Sequence, residues 1–234
     1  MIFNSSKLQD APASLSICQT TVTFSDSVRN LGFYMDKNLS MKQHINFIYK
    51  TAFFELRRIS TIRQHLTVDA TKTFVVSLVL SRIGYCNSLL AGLPLSLISK
   101  LQRVQNCAVL LVVRASPNVH TTPILAQLHW LPVQARISYK TACLCFSSVN
   151  CSTPAYFSDI LHLYSPVRPG RSSADTRLLK LLLYKQKTKG DRAFSHFGSP
   201  VWNSLPSRIG NATTITTFKF VLKITSIVLQ PASL

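Results

Sequence analysis

The sequence predicts a mainly α-helical protein, with a short N-terminal β-hairpin, a helical bundle after it and an irregular basic C-terminal region. Three observations predict it. Apolar residues recur every three or four positions over several long segments, the period of one face of an α-helix. Residues that cap or break helices (Ser, Thr, Gly, Pro) fall between those segments. One stretch, 165–189, shows neither pattern: it is rich in Ser, Arg and Lys and carries Pro166, Pro169 and Gly170, the composition of a solvated basic arm.

The elements follow in order. Residues 20–23 alternate weakly, and 28–35 read as a second strand, with a Ser-Asp-Ser turn at 25–27 joining the two into a hairpin. Ser40 is the expected N-cap of a first helix whose apolar face is Ile45, Ile48, Ala52, Leu56 and Ile59. Thr67 caps a second helix that runs to about Leu90, with Asp69 in its first turn, where the helix dipole favours an acid. Gly92 and Pro94 close it. Residues 95–113 form a third helix with Ile98, Leu101, Val104, Ala108 and Leu111 on one face and Lys100 and Arg103 off it. Thr122-Pro123 opens a short helix ending near His129, and Pro132 starts a fifth that runs to about Ser148. Order returns at 193–205, and 217–229 form a terminal amphipathic helix. The expected divisions are 1–39, 40–150, 151–192 and 193–234.

Composition bounds the function. Of 234 residues, 47% are hydrophobic, enough to bury a core. There are 26 Lys and Arg against 8 Asp and Glu, a net charge of +18 and a pI near 10.1. Such an excess repels itself unless an anionic partner is present. Nucleic acid is the usual partner, an anionic membrane surface the alternative, and an inherited charge that serves nothing the third reading. The longest apolar runs, 74–80 and 107–113, fall far short of the ~20 residues a membrane span needs and read as buried helix faces, so no transmembrane segment is expected. Residues 1–19 lack a basic start followed by an apolar run, so a location inside the cell, nuclear or cytoplasmic, is expected over secretion. In that setting Cys18, Cys86, Cys107, Cys143, Cys145 and Cys151 are free thiols rather than a disulfide frame.

Several segments carry a resemblance. Val28-Arg-Asn-Leu-Gly-Phe-Tyr-Met-Asp-Lys-Asn-Leu-Ser40, followed by His44-Ile45, resembles the segment after the palm in reverse transcriptases of non-LTR, or LINE-type, retrotransposons. In order there follow Ser81-Arg-Ile-Gly-Tyr-Cys-Asn-Ser-Leu-Leu-Ala-Gly-Leu-Pro94, Leu101-Gln-Arg-Val-Gln-Asn-Cys-Ala108 and Thr122-Pro-Ile-Leu-Ala-Gln-Leu-His-Trp-Leu-Pro-Val133. Gly190-Asp-Arg-Ala-Phe-Ser195 and Trp202-Asn-Ser-Leu-Pro206 complete the series. Each motif is weak; their order over about 28–225 makes the match to the C-terminal region of Jockey-like and related elements specific. The resemblance implies that Leu31-Gly32 is the primer-grip hairpin, where Gly32 lets the backbone approach a primer end without a Cβ. It implies a thumb-like helical domain at 40–150 whose basic residues, Lys42, Lys50, Arg57, Arg58 and Arg63, contact the phosphates of RNA or an RNA–DNA duplex. The plainer reading of those five is a solvated basic helix face.

The chain departs from the family at its chemistry. Polymerisation uses carboxylates that hold two Mg²⁺ ions, supplied in this family by Tyr-x-Asp-Asp and an upstream Asp. No Asp-Asp pair occurs here; Asp26 and Asp36 are isolated turn residues, and Met1 falls after those motifs. The expectation is a remnant that does not polymerise alone, has no catalytic residues and takes no cofactor or small-molecule substrate. Residues 30–64 also resemble a short N-terminal segment assigned to AlkB-homologue proteins, a label that brings methyltransferase or iron dioxygenase terms. A dioxygenase of that kind needs His-x-Asp…His for Fe(II). No His-x-Asp occurs here, and both activities are rejected on the residues.

Other chemistry is thin. Cys143, Cys145, Cys151 and His162 offer a zinc reading, but Cys143 and Cys145 fall on differing faces of a helix, and buried thiols are the expectation. No His-Glu-x-x-His pattern and no phosphate-cradling glycine loop occurs, and Trp130 and Trp202 sit in apolar stretches that suit packing. Three functional outcomes remain: an inert transposon fragment, a retained nucleic-acid-binding module, and a repurposed interaction protein whose helix faces seek a protein partner.

Overall fold

The computed structural model describes residues 14–18, 20–23, 25–151, 153–157, 159–165, 177–182 and 190–228. Those residues are mainly helical, with two small antiparallel strand pairs near the N-terminus. Most of the basic arm expected at 165–189, namely 166–176 and 183–189, lies outside them, as does Leu229 of the expected last helix.

The first pair joins β1 (Ser14–Ile17) to β2 (Thr20–Thr23). The second joins β3 (Ser27–Asn30) to β4 (Phe33–Asp36), with Ser27 opposite Asp36 and Asn30 opposite Phe33. Residues 28–35 are therefore not one strand but a hairpin folded at Leu31-Gly32. Both turn residues have positive φ, 47° and 86°, the hand that matches the twist of paired strands. Glycine adopts it freely, whereas Leu31 carries a Cβ clash there. The Tyr85 hydroxyl donates to the Leu31 carbonyl at 2.5 Å and ties the turn to the bundle. Alternation alone cannot separate one strand from two shorter ones, and leucine is no turn residue.

Helix α1 (Lys42–Ile62) buries the predicted face, Ile45, Ile48, Ala52, Leu56 and Ile59. Its cap position holds Met41, not Ser40. The Asp36 carboxylate binds both the Ser40 N–H, at 2.7 Å, and the Ser40 hydroxyl, which drags Ser40 back toward the hairpin. Helix α2 (Val68–Val75) starts as predicted, with the Thr67 hydroxyl accepting the Ala70 N–H at 3.2 Å. One wide π-turn (Val76–Leu80) leads on into α3 (Ser81–Gly84). The helix ends before Leu90, because Tyr85 is extended and Cys86 left-handed, and a 3₁₀ turn (Asn87–Leu90) follows. Then come α4 (Leu95–Val113), α5 (Thr121–Gln127), α6 (Val133–Cys151), α7 (Phe194–Asn203), α8 (Ser207–Gly210) and α9 (Ile215–Val228). No described helix is long and apolar enough to cross a membrane.

Two hydrophobic clusters form. The first joins α1 to α5 and the start of α6, through Val133 and Ile137. The second joins the rest of α6 (Ala142, Cys143, Cys145, Phe146) to α7, α8 and α9 around Phe146, Trp202 and Phe218. Phe146 and Phe218 stack at 4.4 Å. Packing thus divides inside α6, between Ile137 and Ala142; a continuous helix can give its two halves to two cores.

Five of the six segments quoted for the resemblance meet another of them in space, and the sixth, 202–206, is held to residues 177–179. Gln105 on α4 is fully buried and donates to the Leu131 carbonyl at 2.9 Å, and Gln102 accepts the Val133 N–H at 2.9 Å. Those two bonds fasten the free N-terminal end of α6 to α4. Arg192 donates to the Leu39 carbonyl and fills the space above Gly92, where a Cβ would stand 2.8 Å from its Cγ. Trp202 donates to the Arg177 carbonyl at 2.7 Å, and the Asn203 amide makes two 2.9 Å bonds with the backbone of Leu179.

His44 locks the second hairpin onto α1. It is 2% exposed, its ring lies 3.8 Å from that of Phe33, and Nδ1 accepts the Tyr34 N–H at 3.4 Å. Burial lowers its pKa from the ordinary 6.5 to about 4. The unfolded chain therefore takes up the proton first. Stability is whole above pH 6.5 and drains as pH falls toward 4, by at most about 3 kcal/mol. Urea midpoints at pH 7 and 4.5 should show the loss, and His44→Phe should flatten it; an unchanged pH slope in that variant rejects the assignment.

Candidate nucleic-acid interface

Because α1 turns its apolar stripe inward, the opposite face must carry its polar residues. Lys42, Asn46 and Lys50 follow at four-residue steps and are all exposed, with Arg57 two turns beyond Lys50. Helix α4 packs beside α1 and brings Lys100 and Arg103, both exposed, to the same side. Lys100 Nζ donates to Asn46 Oδ1 across the seam at 3.0 Å.

Between the helices lies an open trough of about 550 Å³ lined by Tyr49, Lys50, Phe53, Phe54, Arg57, Arg103 and Cys107. A depression of about 440 Å³ continues it past Asn46 and Lys100, sharing Tyr49, Lys50 and Arg103. No residue lining either is acidic. The single acid of α1, Glu55, is buried on another side, 3.4 Å from Arg58 and 3.6 Å from Arg82. Among the described residues, no ion pair engages Lys50, Arg57, Lys100 or Arg103. Four cations thus converge without a counter-charge, which favours an anion in the trough.

The sequence-predicted residues sort differently from one another. Lys50 and Arg57 line the trough. Lys42 is exposed at the start of α1 and does not line it. Arg58 is exposed but turned to Glu55 and lies 5.8 Å over the Phe54 ring. Leu31 is 86% exposed at the hairpin tip. A Cβ at Gly32 would meet only Tyr85 Cε1 at 4.0 Å, so the glycine there answers to its φ of 86° rather than to crowding.

Arg63 is corrected outright. It is 6% exposed, and its guanidinium donates to the carbonyls of Leu111 (2.9 Å), Val112 (2.7 Å) and Leu66 (2.9 Å). It caps the C-terminal end of α4, where a cation also suits the helix dipole. Arg114 returns the favour with bonds to the carbonyls of Arg63 (3.0 Å) and Gln64 (3.3 Å). A side chain so placed does not reach phosphate.

Sequence reasoning missed Lys100, Arg103 and the aromatic floor of the trough. The signal available was their place off the α4 apolar face; which helix lies beside them was not visible. Among the cysteines, Cys143 and Cys145 are buried in the second core, and Cys151 is exposed. Burial pushes Cys145 up to about 12 and raises Cys143 as well, so neither offers a thiolate at neutral pH. Among the described residues, no three of His, Cys, Asp and Glu are grouped to hold a metal ion. Asp26 pairs with Lys37 at 2.9 Å, and Asp36 holds Ser40.

Comparison with protein-family models, curated proteins and solved structures gives no match.

Proposed function

We propose that this chain binds the phosphate backbone of RNA, alone or in an RNA–DNA duplex, through the α1–α4 trough. In this reading these 234 residues derive from the part of a LINE-type reverse transcriptase that follows the palm and keep a thumb-like module. The observation that carries binding is the convergence of Lys50, Arg57, Lys100 and Arg103 with no acid among them. The net charge of +18 adds a long-range pull on polyanions.

The test is anisotropy of a labelled RNA titrated with the full chain from 50 to about 300 mM salt. Four phosphate contacts predict a log K against log salt slope of about −3. Absence of binding at the lowest salt, or a flat slope, overturns the proposal. A second reading, docking of a protein, is favoured by exposed apolar residues along α2 and the π-turn after it, Val68 at 51%, Phe74 at 41% and Val76 at 40%. It predicts a defined complex that survives nuclease.

A further inference from the structure

We infer that the trough takes single-stranded rather than base-paired nucleic acid, with unstacked bases seated on Phe54 and the Tyr49–Phe53 pair between the cations. The inference rests on the reading that the trough binds nucleic acid at all. It starts from what phosphate binding leaves unexplained. Three aromatic rings stand inside the basic trough. Tyr49 and Phe53 meet edge to face at 4.7 Å, one helical turn apart (~6 Å along the axis), and Phe54 is 59% exposed.

A duplex presents phosphates and sugars, and its base faces are already covered by their neighbours, so it gives these rings nothing to pack on. A single strand offers a π-face with each base, and alternating rings and cations are how such strands are held without regard to sequence. Along α1 the order is ring and cation (Tyr49, Lys50), then two rings and a cation (Phe53, Phe54, Arg57), while α4 supplies Lys100 and Arg103 on the facing wall. Covering Phe54 removes apolar surface from water, which phosphate contacts alone do not do.

The test uses three labelled probes of equal phosphate number: single-stranded oligoadenylate, an abasic single strand, and a blunt RNA–DNA duplex. The full chain and its Phe54→Ala variant are titrated with each. Because Phe54 is exposed, its truncation opens no core cavity. Oligoadenylate is expected to bind at least fivefold tighter than either other probe, and Phe54→Ala to bring the oligoadenylate-to-abasic ratio close to one. If the abasic strand and the duplex bind as tightly as oligoadenylate, this inference falls and the trough reading stands. If Phe54→Ala leaves the ratio untouched, the rings are not the base seats and the inference also falls. If no probe binds, both fall together.

Discussion

Replacing Lys50 and Arg103 with glutamate together should lower RNA affinity by about a hundredfold near 100 mM salt and make the salt slope shallower by about two. These residues stand on different helices yet line both the trough and its continuation, so the pair removes the centre of the site rather than one edge. Each loses a phosphate contact, and each glutamate then repels the same strand. Both side chains are exposed, so the fold should tolerate the change. The control is Lys180→Glu with Lys223→Glu, which removes the same charge from exposed positions next to Leu179 and Leu222 of the second hydrophobic cluster. A comparable loss in the control would mean that overall charge, not the trough, holds the RNA.

Arg63→Ala should destabilise the protein by about 3 kcal/mol or more, while the folded fraction keeps its RNA affinity. Three charge-assisted bonds are lost, and carbonyls of Leu66, Leu111 and Val112 lose their partner. The damage reaches both helices, because Arg114 is aligned on the Arg63 and Gln64 carbonyls next to them. Arg63→Lys should recover only part, since an ammonium cannot make the planar fork that spans carbonyls of two segments. Urea denaturation and binding at matched folded concentration separate the outcomes. A midpoint equal to wild type with weakened binding would return Arg63 to the phosphate-contacting set.

Arg57, Arg58 and Arg63 look alike in sequence, basic residues late in one helix, and the structure gives them three different fates. Arg57 lines the trough, Arg58 pairs with Glu55, and Arg63 is buried as a cap. Helical phase sets Arg57 with Lys50 and turns Arg58 about 100° away; the burial of Arg63 depends on the end of α4 lying beside it.

The helices themselves were legible. The α1 apolar face, the Thr67 cap, the span of α4 and the Pro132 start of α6 are set by short-range physics: side-chain period, hydroxyl capping, and the missing N–H of proline. Alternation read the second hairpin as one strand, and only the resemblance implied a hairpin at Leu31-Gly32, because its turn places leucine in a conformation that the bond from Tyr85, 54 residues away, helps to hold. The Ser40 cap was legible only in part: its hydroxyl accepts the Lys42 N–H at 3.4 Å, but it also donates to the Asp36 carboxylate, and the cap position falls on Met41.

By itself, then, the sequence determined a basic, mainly helical chain and the face each long helix turns inward. Only the tertiary structure decided that Lys100 and Arg103 join Lys50 and Arg57 around three aromatic rings, and that Arg63 leaves them. The physical reason is range. Helix period and capping act within a few residues, whereas the carbonyls that take up Arg63 lie 48 and 49 residues along the chain. The trough exists only where two such helices have packed.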